Sequence, residues 1–178
     1  SNTVGDGNTA VGVSALNSNI ADGNTAVGSH SLSSNTSGTG NTATGTGALT
    51  LSNADNNTAN GGGALFSDTT GGGNTAIGRN ALVVNTVGAG NTAVGWNALS
   101  NNVSGNGNIA LGGSAGSNVA TASNVISIGL AGEDVDNSCY IGNIVAQPGG
   151  SQAVYVNGLG KLGAQVSSRR VKDEIKPM

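Results

Sequence analysis

One hexapeptide, Gly7-Asn8-Thr9-Ala10-Val11-Gly12, returns through this chain at an almost fixed interval. Near copies end at Gly28, Gly45, Gly61, Gly78, Gly95, Gly112 and Gly129, and a looser one, Asn137-Ser138-Cys139-Tyr140-Ile141-Gly142, closes the series. The successive steps are 16, 17, 16, 17, 17, 17, 17 and 13 residues. A period this steady marks a solenoid, in which each repeat is one turn of backbone and stacking supplies the core. A chain with Gly at 32 of 178 positions and aromatics at 2% resembles a disordered linker by composition. A linker, however, has no reason to hold Val and Gly in phase.

Each repeat has a constant and a variable part. After the motif come two free positions and then a small residue followed by Leu, as in Ala15-Leu16, Ser31-Leu32, Ala48-Leu49, Ala64-Leu65, Ala81-Leu82 and Ala98-Leu99. All the variation in length falls between that Leu and the next motif. Those segments are rich in Asn, Ser, Asp, Thr and Gly, residues that tolerate left-handed backbone or bond their own main chain, and they read as turns. The expected repeat is a short strand, a Gly bend, a second short strand and a polar loop. In the first strand Thr9 and Val11 share one face, and Asn8 and Ala10 the other. Stacking at the parallel-strand spacing of about 4.8 Å makes nine coils a rod of roughly 40 Å. A helical reading fails, because the repeat lacks a 3.6-residue period and Gly recurs too often for helix interiors.

Apolar content is mostly Ala and Val, so the expected core is thin and closely spaced. A net charge of −3 gives no basic footprint for nucleic acid or an anionic membrane. No apolar run is long enough to span a bilayer and no signal peptide is evident. The first residue is Ser, which suggests a segment cut from a longer protein. The single Cys139 has no intrachain disulfide partner and is expected as a small buried thiol. Asp6, Asp22, Asp55 and Asp68 fall in turns, where a carboxylate ordinarily bonds its own backbone. No His, Asp or Glu cluster has metal-ligand spacing, no phosphate-binding loop is present, and no cofactor is expected. The calcium-binding nonapeptide, the hexapeptide period of acyltransferase β-helices and paired glycosidase carboxylates are also missing.

A single coil of this kind leaves one strand face as an apolar stripe. Burial against identical chains is the simplest remedy, and three-fold closure the expected symmetry. Here the residues reach a resemblance. Asn124-Val125-Ile126-Ser127-Ile128-Gly129, Asn137-Ser138-Cys139-Tyr140-Ile141-Gly142 and Gly107-Asn108-Ile109-Ala110-Leu111-Gly112 resemble the Asn-Ser-Val-Ala-Ile-Gly repeat of YadA-like trimeric autotransporter heads. The resemblance spans about residues 1–145 and implies a trimeric left-handed parallel β-roll whose two apolar motif positions point inward. The implied trimer core is Val11, Val27, Ile77, Val94, Ile109, Leu111, Ile126, Ile128 and Ile141, paired with a Thr column running from Thr9 to Thr92. Thr stands where that family prefers Val, the coil is longer, and Asn60 occupies an inward position.

After Gly142 the repeat stops. Pro148-Gly149-Gly150 is a breaker, Ala153-Val154-Tyr155-Val156 a strand candidate, Asn157-Gly158 a hairpin turn signal, and Gly160-Lys161-Leu162-Gly163 the return. Residues 146–166 are thus expected as a β-hairpin neck. The last twelve residues, 167–178, carry four of the six basic residues. Ser167-Ser168-Arg169-Arg170-Val171-Lys172-Asp173-Glu174-Ile175 resembles the opening of the intramolecular chaperone domain (peptidase S74 or endosialidase type) of phage tail spikes and other trimeric fibres. That resemblance implies Ser167 as nucleophile and Lys172 as its general base for self-cleavage. A Lys base must be neutral near pH 7, which needs burial or cationic neighbours such as Arg169 and Arg170. The chaperone body is missing here, so this segment itself is expected to be no enzyme.

The free positions after each Gly form columns along the rod. Arg79 and Trp96 occupy one column in adjacent coils, about 5 Å apart by strand spacing, with His30 and Asn97 in the next column. An Arg–Trp pair can stack as a cation–π contact and grip a glycan ring, or pack against a trimer neighbour. The Thr column admits ice binding as an outside alternative.

The expectation is an all-β parallel β-roll of about nine short coils, homotrimeric, with a C-terminal hairpin and short stalk. The expected function is the head or shaft of an extracellular trimeric fibre, an adhesin or phage tail fibre at a cell surface or virion, meeting a surface glycan or protein. The alternative is a fibre precursor matured by Ser-Lys self-cleavage.

Overall fold

The structure, a computed structural model, describes residues 5–142 and two further strands at 154–156 and 162–164. Every copy of the motif forms one three-residue strand. In chain order these are β1 (Thr9–Val11), β2 (Thr25–Val27), β3 (Thr42–Thr44), β4 (Thr58–Asn60), β5 (Thr75–Ile77), β6 (Thr92–Val94), β7 (Ile109–Leu111), β8 (Ile126–Ile128) and β9 (Cys139–Ile141). They pair in sequence order as one nine-stranded parallel sheet, so the chain makes about eight turns of a parallel β-solenoid. The register is uniform: Thr9 lies beside Thr25, Ala10 beside Ala26 and Val11 beside Val27, and the same columns continue to β9. No described residue is helical.

The second strand of each repeat does not form. Past the Gly, the chain turns through left-handed backbone at two alternate residues, for example Asn80 (φ 57°) and Leu82 (φ 53°). Extended pairing is impossible with that alternation, but the coils stay joined there: the Leu82 N–H donates to the Ala98 carbonyl at 3.0 Å, and equivalent bonds recur in other coils. Left-handed Leu is unusual and costs roughly 1–2 kcal/mol. Leu16, Leu32, Leu49, Leu65, Leu82 and Leu99 are all fully buried, and burying a Leu returns about 1.5–3 kcal/mol, enough to hold the strained corner.

The core differs from the expected Ala and Val filling. The middle residue of the strands, Ala26 through Ala110, is buried, the Leu corner stacks on itself, and most Val residues lie outside. Two amide ladders complete the interior. Asn24, Asn41, Asn57, Asn74, Asn91 and Asn108 form the first, all buried. Each Oδ1 accepts the N–H of the residue one coil on, as Asn57 does from Asn74 at 2.8 Å. Each Nδ2 donates to a loop carbonyl of the following coil, as Asn57 does to Gly71 at 2.9 Å. Buried loop carbonyls need partners, and this column supplies them coil after coil. At β8 the column changes to Val125, also buried.

Close stacking explains the motif's final Gly. A Cβ on Gly28, which has φ 137°, would stand 2.6 Å from the Gly45 carbonyl. No side chain fits between these layers.

The chain divides into two compact units, residues 1–142 and 143–178. In the second, β10 (Val154–Val156) and β11 (Leu162–Ala164) pair antiparallel, Tyr155 opposite Gly163. The expected hairpin partners are present. The return strand begins at Leu162, two residues after the predicted Gly160, with residues 157–161 between the strands.

Candidate functional site

Strand alternation sends the first and third residues of each strand away from the coil's own interior. Thus Val11, Val27, Ile77, Ile109, Leu111, Ile126 and Ile128 are exposed on one chain, and Val94 and Ile141 are half-buried. The Thr column beside them is half-buried to exposed, and Asn60 is exposed in the apolar column. The columns that the family resemblance directs inward therefore face out of the single coil, while Ala and Asn point in. The result is an ordered two-column stripe, in register, of Thr and Val in early strands and of Ile and Leu from β7 onward. Cys139 lies at a first position and is exposed, not buried as its small size suggested.

The corner column after the Gly holds Val13, Ser29, Thr46, Gly62, Arg79, Trp96 and Gly113. Arg79 and Trp96 sit on adjacent coils, tied where the Asn97 N–H donates to the Arg79 carbonyl at 3.0 Å. Both side chains are exposed. His30 is also exposed, with its Nδ1 2.9 Å from Ser29 Oγ, but it belongs to the second coil and Arg79 to the fifth. Three strand spacings, about 14 Å, separate it from the pair, so His30 does not contribute to that patch.

A second buried ladder, unforeseen from sequence, runs through Asn19, Asn35, Ser52, Asp68, Asn85 and Asn102. Each stands three residues after the coil's Leu, a fixed offset inside the segments read as polar turns. Asp68 is therefore not an ordinary turn carboxylate. Its Oδ2 accepts from Ser52 Oγ at 2.9 Å and Asn57 Nδ2 at 3.2 Å, and its Oδ1 accepts from Asn85 Nδ2 at 3.0 Å. Burial pushes its carboxyl up to about 6, against the opposing effect of hydrogen bonds from Ser52, Asn85 and the Gly71 backbone. Asp22 and Asp55 do not bond their own turns as expected but tie coils together, accepting from the Asp6 and Thr39 backbone N–H groups of the preceding coil at 2.7 Å.

Near the last coil, exposed Asp134 accepts from the backbone N–H groups of Ala122, Thr121 and Ala120, which holds its carboxyl down at about 2. Ser127 replaces the inner Ala in β8, and its buried hydroxyl has no hydrogen-bond partner.

Among the described residues no group of three His, Cys, Asp or Glu is placed to hold a metal ion. Among the described residues there is no helix long and apolar enough to cross a membrane. Ser167 and Lys172 lie outside the described residues. Comparison with known protein families, with curated proteins and with solved structures finds no match to this chain.

Proposed function

We propose that this chain is a head or shaft segment of an extracellular homotrimeric fibre that serves in surface attachment. The observation that carries the reading is the exposed, in-register stripe of Val, Ile and Leu along the sheet. A stripe repeated at one strand spacing along a sheet is matched most simply by the same stripe on identical chains. The resemblance of the motif to trimeric adhesin heads supports the same assignment. Light scattering tests it: three chains of 17.0 kDa give about 51 kDa, whereas a stable 17.0 kDa monomer refutes it. In that event the Thr column remains open to solvent, and an ice-recrystallisation assay addresses the outside alternative.

Maturation by self-cleavage rests on the sequence around Ser167 and Lys172 alone. It requires a product trimmed near Ser167 from the longer gene, with trimming lost in Ser167→Ala; no trimming in either form ends it.

A further inference from the structure

Arg79 is the only Lys or Arg before residue 161, and Trp96 is the only Trp in the chain. The solenoid seats them on adjacent rungs of one corner column. The rungs on either side are Gly62 and Gly113, which leave the pair standing clear on a shelf without competing side chains. The ladder continues through the shelf: Asn80 N–H donates to the Gly62 carbonyl at 3.0 Å and Ser114 N–H to the Trp96 carbonyl at 2.8 Å. The backbone beneath is thus fixed rather than a loose loop.

Neither side chain belongs to the buried core. Trp96 is 54% exposed, an unusual position for the largest apolar side chain of a protein with so few aromatics. Arg79 is exposed and forms no ion pair with another described residue. In the adjoining column Asn80 and Asn97 hold left-handed backbone and are half-buried.

From this juxtaposition we infer that Arg79 and Trp96 form a binding site for an acidic sugar residue, one pyranose ring carrying a carboxylate. An indole offers a flat apolar surface with a polar edge, suited to the C–H face of a sugar. A guanidinium carried on the neighbouring rung, whose backbone lies about 4.8 Å away, can engage a ring carboxylate with two parallel N–H donors. Arg79, as the one Lys or Arg among the first 160 residues, has no grip on a polyanionic backbone, which disfavours nucleic acid at this site. An uncharged sugar would leave the one cation unused. The site lies on one chain and stands independently of the assembly state; in a trimer it would be present three times.

The sole tryptophan makes the test direct. Intrinsic fluorescence is titrated with oligogalacturonate and, separately, with the same oligomer as its methyl ester, which keeps the rings and removes the charge. The site predicts a saturable emission change with oligogalacturonate in the millimolar range or tighter, and binding of the ester at least about tenfold weaker. Arg79→Gln weakens the acidic oligomer by about tenfold and leaves the ester unchanged. Trp96→Ala, followed by calorimetry, loses both. Light scattering on both variants must return the wild-type mass. No response up to about 10 mM, equal affinity for acid and ester, or a changed mass in either variant overturns the inference. The changed mass would assign the pair to a contact between chains.

Discussion

Asp68→Asn is expected to stabilise the protein at neutral pH and to remove a pH dependence that the wild type shows. The carboxylate is fully buried, and its neighbours Ser52, Asn57, Asn85 and Gly71 are all uncharged. Hydrogen bonds satisfy its oxygens, but no cation offsets the desolvation. Its carboxyl is raised from 3.8 to about 6, so the fold favours the protonated form; the shift converts to about 3 kcal/mol lost once the group ionises. Below pH 4 the penalty is absent. It grows between the unfolded value of 3.8 and the folded value near 6, and stays constant above that. An amide at this position matches the rest of the ladder: Asn35 Nδ2 donates to Asn19 Oδ1 at 2.6 Å and to the Gly38 carbonyl at 2.8 Å. Ser52 Oγ and the Gly71 carbonyl stand in the equivalent places. Asn57 Nδ2 loses one acceptor but keeps the Gly71 carbonyl at 2.9 Å, a loss of about 1 kcal/mol. The net expectation at pH 7 is a gain of about 2 kcal/mol, falling to about zero or slightly below at pH 4. Denaturant unfolding of both forms at pH 4, 5, 6, 7 and 8, read by circular dichroism, measures it. A variant less stable than wild type at pH 7, or a stability gap that does not change with pH, refutes the account.

Three further substitutions probe other features. Ser127→Ala removes a buried hydroxyl without a partner and restores the Ala of the other strands, and a gain of about 1 kcal/mol in chemical denaturation is expected. Gly28→Ala places a Cβ 2.6 Å from the Gly45 carbonyl on backbone at φ 137°, so a loss of several kcal/mol, or failure to fold, should appear as a collapse of soluble yield or melting temperature. Asp134 titrates near 2 because the N–H groups of Ala122, Thr121 and Ala120 favour its charged form, and its support is present above the unfolded carboxyl value and fades as pH falls through 2. Carbon-detected NMR titration should place its midpoint there, and Asp134→Ala should abolish hydrogen-exchange protection at those three amides, leaving the strands protected.

The solenoid, its strand positions and its in-register columns were legible in sequence because a fixed period combines with a two-residue alternation. Thr9, Ala10 and Val11 state both at once. The corner was misread because Leu carries no signal for left-handed backbone: a Leu after Ala looks like strand, and only the stacking of six identical corners makes the conformation tolerable. The core was misread for a related reason. Asn within a Ser-, Asp- and Gly-rich segment normally marks a turn, and Asn85 does sit in one, but its amide turns inward because the same residue recurs one coil away to bond it. The offset of three residues from Leu was present throughout, from Asn19 to Asn102. What ordinary turn chemistry could not convey was that polar side chains, 14 beside 21 apolar ones among the described residues, form so large a part of the interior. The corner pair Arg79 and Trp96 was placed correctly by period alone, whereas His30 shared only an adjacent column and not a coil.

The amide ladders have a consequence for how this protein meets temperature. Exposing apolar surface on unfolding raises heat capacity, while exposing polar surface lowers it. In an oily core the first term dominates and gives a stability curve that bends sharply at both ends. Here unfolding releases stacked amides together with small Ala and a single Leu per coil, so the two terms oppose each other within the same cross-section. The heat-capacity change per residue should fall below the usual 12–15 cal/mol/K. A rod built this way has a shallow stability curve, nearly as sound in the cold as at moderate warmth, because its strength does not depend on water's changing aversion to oil.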